Sequence, residues 1–164
     1  GYVTPSNSMA QVVRMTEHLD KIEAVEKTAM ADCLNDIAGR LGRREIVMIF
    51  SDFFTDLTQL EPVLQRLRYA RHEVVLFQVM HHDELAFEMD GMVKFVGLEV
   101  PEELLAQTDD LRRAYLQAVN QFNDQLEEIA HRNGCERVLC DTSRGISDLL
   151  IDYLNRRSML ALAR

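Results

Sequence analysis

The chain has 164 residues, enough for one domain with a core of its own. With 47% hydrophobic and 27% charged residues, seven Gly and three Pro, its composition excludes a disordered or low-complexity chain. A formal charge of −9 argues against nucleic acid or an anionic membrane as the main partner, because both demand dense Lys and Arg.

Residues 1–8, GYVTPSNS, read as the end of a strand and a loop, with Ser6 or Asn7 placed to cap the next element. Met9, Val12, Val13, Thr16 and Leu19 recur at helical spacing and predict an amphipathic helix over about 8–20. Thr28 is a plausible N-cap for a second helix, whose apolar face is Met30, Cys33, Leu34, Ile37, Ala38 and Leu41. Gly42, Arg43 and Arg44 stop it, a glycine past the end and cations near the negative pole.

The run Ile46–Ser51 predicts a strand, and residues 55–72 a third helix with Leu60, Val63, Leu64 and Leu67 inward and Pro62 in its first turn. A second continuous apolar strand comes next, at 73–80. Neither strand alternates, so both are expected to be buried on both faces, as in a parallel sheet covered by helices. Short strands alternating with helices define an α/β class. Residues 81–110 break that pattern. HHDE, His81 to Glu84, reads as a solvated loop rather than a metal cluster, and VKFVGLEV as a short strand or hairpin insert. The acid pairs Glu102-Glu103 and Asp109-Asp110 read as helix starts. A long helix over 109–132, a last strand at 137–142 and a closing helix from Gly145 complete one domain, 1–164, with an insert near 81–108.

The three cysteines, Cys33, Cys135 and Cys140, lack CxxC spacing and read as buried free thiols of a reducing compartment. No run approaches the ~20 apolar residues that cross a bilayer, so no direct membrane insertion by this segment and a cytoplasmic location are expected. No GxSxG or GxGxxG is present, and GRLGRR does not follow a strand, so it is no phosphate loop.

Chemistry is expected where strands of a parallel sheet end. Asp52 stands at the carboxyl end of the strand 46–51, Ser51 beside it, and Thr28 opens the helix that precedes that strand. Hard oxygen donors grouped there suit Mg²⁺ or Mn²⁺. The alternative is structural: Asp52 or Asp56 caps the helix after the strand, and Thr28 the helix before it.

In order along the chain, SNSMAQVVRM, EKTAMADCLNDIAGRLGRREIVMIFSDFFTD, LQRLRYARHEVVLFQVMHHDELAFEMDG, VKFVGLE and DTSRGISDLLIDYLNRRS resemble the C-terminal half of DUF58-family proteins, which are bacterial and carry a von Willebrand factor A-like domain. The resemblance spans nearly the whole chain, and RREIVMIFSDFF and RHEVVLFQVMHHDELAF are its most specific parts. It implies a doubly wound α/β sheet with flanking helices, here partial, with the first strand or strands missing. It also implies a metal-ion-dependent adhesion site in which Thr28 matches the second-loop threonine and Asp52 the third-loop aspartate. The DxSxS motif that supplies most ligands of such sites is absent from this chain. Mg or Mn is therefore expected in the full-length protein and no metal in this segment alone.

The resemblance further implies a non-catalytic protein-interaction module working with a MoxR-type AAA+ ATPase in the assembly or maturation of complexes. Full-length members often carry membrane segments before this region. Without its first strand the sheet is expected to form homo-oligomers through the edge strand 46–51. Two alternatives stand beside this reading. One is a Mg-dependent phosphohydrolase-like enzyme using Asp52, and the other a purely structural domain.

Overall fold

The computed structural model describes residues 3, 6–23, 29–97 and 103–162. A three-stranded parallel sheet in the order β1-β2-β5 forms its centre, from β1 (Ile46–Ser51), β2 (Glu73–Met80) and β5 (Glu136–Asp141). Its helices are α1 (Met9–Leu19), α2 (Met30–Arg40), α3 (Leu57–Tyr69), α4 (His82–Ala86), α5 (Thr108–Arg132) and α6 (Ile146–Leu162). The insert is an antiparallel hairpin of β3 (Met92–Val96) and β4 (Glu103–Gln107). This is a mixed α/β fold, a parallel sheet flanked by helices, as the strand-helix alternation predicts.

Each face of the sheet builds its own core, because side chains alternate along a strand. On one face Ile49, Val74 and Leu76 meet Leu34 of α2, the buried stripe Leu60, Val63, Leu64 and Leu67 of α3, and Leu126, Ile129 and Ala130 of α5. On the other, Val75, Phe77, Val138 and Cys140 pack under Leu149 and Tyr153 of α6. Phe77 stacks on Phe50 at 4.6 Å and meets Tyr153 edge-on at 5.2 Å. The hairpin is anchored by Phe87, whose ring lies 4.8 Å from Tyr115 and 6.2 Å from Phe95. Buried Thr108 closes the insert by bonding Gly91 O through both its amide and its hydroxyl.

Several expectations change. β2 is buried on both faces, but β1 is not: Ile46, Met48 and Phe50 are 54%, 48% and 60% exposed. They share the face that α6 covers over β2 and β5, yet they remain exposed on β1. The cap of α1 is Ser8, whose hydroxyl accepts from Ala10 N, not Ser6 or Asn7. Pro62 is the sixth residue of α3, inside the helix rather than in its first turn. Glu103 opens β4 instead of a helix and pairs with Lys94 across the hairpin at 2.8 Å. Of the thiols, Cys135 and Cys140 are buried and Cys33 is exposed. Burial pushes the Cys135 thiol up to about 11.

Gly1, Tyr2, Thr4 and Pro5 of the expected strand end and loop at 1–8, Thr28, and the residues Leu98 to Glu102 lie outside the described residues. No described helix is long and apolar enough to cross a membrane.

Candidate functional site at the carboxyl edge of the sheet

Parallel strands bring three loops to one edge: the turn after β1, the start of α4 after β2, and the turn after β5. The first carries Asp52. Ser51 Oγ accepts from Phe53 N at 3.0 Å, and Asp52 Oδ1 accepts from Phe54 N at 3.0 Å. Phe53 adopts φ +62 and is fully buried. A left-handed phenylalanine costs about 1–2 kcal/mol, a cost that burying its ring offsets. The turn is thus held from several sides, and it leaves the Asp52 carboxylate and the Phe54 ring exposed.

Asp52 is not the cap of α3. Asp56 is, accepting from Thr58 N at 2.9 Å and from the Thr58 hydroxyl at 2.6 Å, and these bonds lower its pKa. Among the described residues, Asp52 Oδ2 has no hydrogen-bond partner. Of the two structural roles open to Asp52 and Asp56, Asp56 therefore takes the cap and Asp52 keeps a free oxygen.

Sequence spacing concealed the support beneath the turn. Gln78, in the middle of the apolar β2, is fully buried. Its Nε2 donates to Asp52 O at 3.2 Å and to Asn123 Oδ1 at 2.9 Å. Its Oε1 accepts from Arg137 Nε at 2.9 Å, and Arg137 in turn reaches Glu127 at 3.0 Å. A buried amide satisfied on both ends is a rigid strut. This one ties the Asp52 turn to α5 and β5.

The HHDE segment is ordered rather than a loop. His81 caps α4 and completes a capping box with Glu84. His82 Nδ1 lies 2.9 Å from Asp141 Oδ2 at the end of β5. The hydrogen bond to Asp141 raises the pKa of His82, and the same bond holds Asp141 down at about 2. Ser143 Oγ lies 3.5 Å from that same Nδ1. A Ser-His-Asp relay needs the hydroxyl on the opposite ring nitrogen, so this trio is not a hydrolytic triad.

A metal needs more donors than this edge brings together. Mg²⁺ takes six oxygens, several of them water, but is anchored by one or two carboxylates with further ligands. Ser51 Oγ is committed to Phe53 N, Thr28 lies outside the described residues, and His82 and Asp141 belong to other loops. Among the described residues no group of three or more His, Cys, Asp or Glu is arranged to hold a metal ion. The described residues alone do not fit a complete metal site.

The fold is an α/β domain built on a parallel three-stranded sheet flanked by helices. The family model described as "Protein of unknown function DUF58" matches residues 1–141, and the chain belongs to that family. No curated protein and no solved structure matches it.

Proposed function

We propose that this chain is a non-catalytic protein-interaction module whose partner docks on the carboxyl edge around Asp52. The observation that carries the reading is the Asp52 turn. It spends a left-handed phenylalanine, two side-chain-to-backbone bonds and a buried glutamine on fixing a carboxylate that caps no helix. Strained backbone of this kind collects where a group must be held for a ligand. Phe54, half-exposed beside it, adds the aromatic surface that protein interfaces favour.

The partner class we propose is a MoxR-type AAA+ ATPase, the class that the DUF58 resemblance implies. Assistance by Mg²⁺ or Mn²⁺ in the intact protein belongs to the same proposal. It requires oxygen donors beyond those described, and Thr28 is the candidate. The test is calorimetric titration of Mg²⁺ and Mn²⁺ into the intact protein and its Asp52→Ala variant. Binding that disappears in the variant supports metal assistance. Equal heats in both, or none in either, remove the metal and leave docking to Asp52 and Phe54 themselves.

A further inference from the structure

At the opposite, amino edge of the sheet lies an open cleft of about 990 Å³ lined by Arg43, Arg44, Arg68, Tyr69, Ala70 and Arg71. Four arginines line it in a chain whose formal charge is −9, the Arg68 guanidinium lying against Gly134 just past the end of α5. The ordinary explanation is that they complement helix ends, since α2 and α3 both terminate at the cleft. The magnitudes do not close on that explanation. A helix C-terminus carries roughly half a negative charge, so α2, α3 and the end of α5 beside Arg68 supply about −1.5. Glu45 adds one more, with Oε1 held by Gly42 N, while Glu73 is already paired with Arg157. Four arginines therefore leave an excess of roughly one and a half positive charges, centred on Arg43, Arg44 and Arg71. None of the four has an ion-pair partner among the described residues.

The backbone supports the same reading. Arg44 at φ +60 and Arg71 at φ +64 hold left-handed conformations just before β1 and β2. Glycine or asparagine would adopt them with less strain. Tyr69 stands 91% exposed beside them. Arginine and tyrosine are the side chains that dominate protein-interface hot spots. The cleft is open and lined by charge, whereas small-molecule sites are enclosed and mostly apolar. At physiological ionic strength charges beyond about 8 Å are screened, so the local cluster, not the net charge, decides what docks.

We infer that this amino-edge arginine cleft binds an acidic segment of a partner protein, its carboxylates paired with Arg43, Arg44 and Arg71 and Tyr69 packed against its backbone. The inference rests on the protein-interaction reading above but uses a second surface, on the other edge of the sheet.

The test is fluorescence anisotropy on the intact protein with a labelled octaglutamate peptide, at about 0.15 M ionic strength. Inorganic tripolyphosphate serves as a second probe. The peptide is expected to bind, less tightly as salt rises. Arg43→Glu/Arg44→Glu should weaken it about tenfold or more, as should Arg71→Glu on a separate turn. All these side chains are exposed, and circular dichroism verifies that each variant folds. Asp52→Ala, at the far edge, should leave peptide affinity unchanged. Absence of peptide binding, equal binding by the reversed variants, or binding of tripolyphosphate without the peptide would each overturn the inference. If the peptide fails while Asp52-dependent partner binding stands, only the amino-edge site falls.

Discussion

Replacing Gln78 by leucine tests whether the Asp52 turn is actively held. The side chain is fully buried and serves three partners: Asp52 O at 3.2 Å, Asn123 Oδ1 at 2.9 Å and Arg137 Nε at 2.9 Å. Leucine fills similar space but leaves two acceptors without their donor and Arg137 without an acceptor. A buried neutral group left unpaired costs about 1–3 kcal/mol, and a charged one more. Against this, Arg137 keeps Glu127, and a buried leucine returns about 1–2 kcal/mol. The net expectation is a loss of about 3 kcal/mol, a large part of the ~5–15 kcal/mol typical of a domain.

In a chain of this size that loss lowers Tm by about 6–12 °C. Urea unfolding measures it, and hydrogen exchange at Phe53, Phe54 and Thr55 reports whether the turn loosens. The double variant Gln78→Leu/Arg137→Leu should cost about 1–2 kcal/mol less than the sum of the single changes, because it removes both halves of one buried pair. A Gln78→Leu protein within about 0.5 kcal/mol of the parent, with unchanged exchange in the turn, would refute the reasoning.

Three more predictions concern the rest of the edge and sheet. Asp56→Ala should lower the urea midpoint more than Asp52→Ala, because only Asp56 caps α3. The lowered pKa of Asp56 means that its contribution is present above about 3.8 and fades as pH falls through its folded value. His82, with its pKa raised by Asp141, should titrate above 6.5 by NMR, and Asp141→Asn should bring it back toward that value. The contribution of His82 is full below pH 6.5 and is lost as pH rises through its folded pKa. That of Asp141 is full above 3.8 and is lost as pH falls through about 2, so the bridge is strongest between about pH 4 and 6.5. Finally, the exposed face of β1 should drive self-association. Met48→Lys/Phe50→Lys should reduce the mass seen by light scattering at high concentration, and a parent that stays monomeric there would count against oligomerisation through 46–51.

Much of the frame is legible in the sequence because it rests on short-range periodicity. Leu60, Val63, Leu64 and Leu67 announce a helix with one buried face, and all four are buried. The runs 46–51 and 73–80 announce parallel strands and pair in register from Ile46–Glu73 to Ser51–Gln78. What five consecutive apolar residues cannot announce is which face a helix will cover, so Met48 and Phe50 read as buried and are not. The site divides in the same way. Asp52 is visible as a polar break at the end of a strand. Its support is not, since Gln78 lies inside an apolar run and its partners Asn123 and Arg137 are 45 and 59 residues away. His82 and Asp141 are likewise 59 residues apart, joined only because β2 and β5 are neighbours. Between two aspartates four residues apart, only the backbone geometry decides that Asp56 caps and Asp52 does not.

The most direct measurement is the affinity of a MoxR-type AAA+ ATPase for the intact protein, by surface plasmon resonance, with Asp52→Ala and Phe54→Ala compared against the parent. The account predicts that both changes weaken binding about tenfold or more while the Asp56→Ala variant, once folded, binds as the parent does. Parent-like affinity in both Asp52→Ala and Phe54→Ala would contradict a docking role for the carboxyl edge.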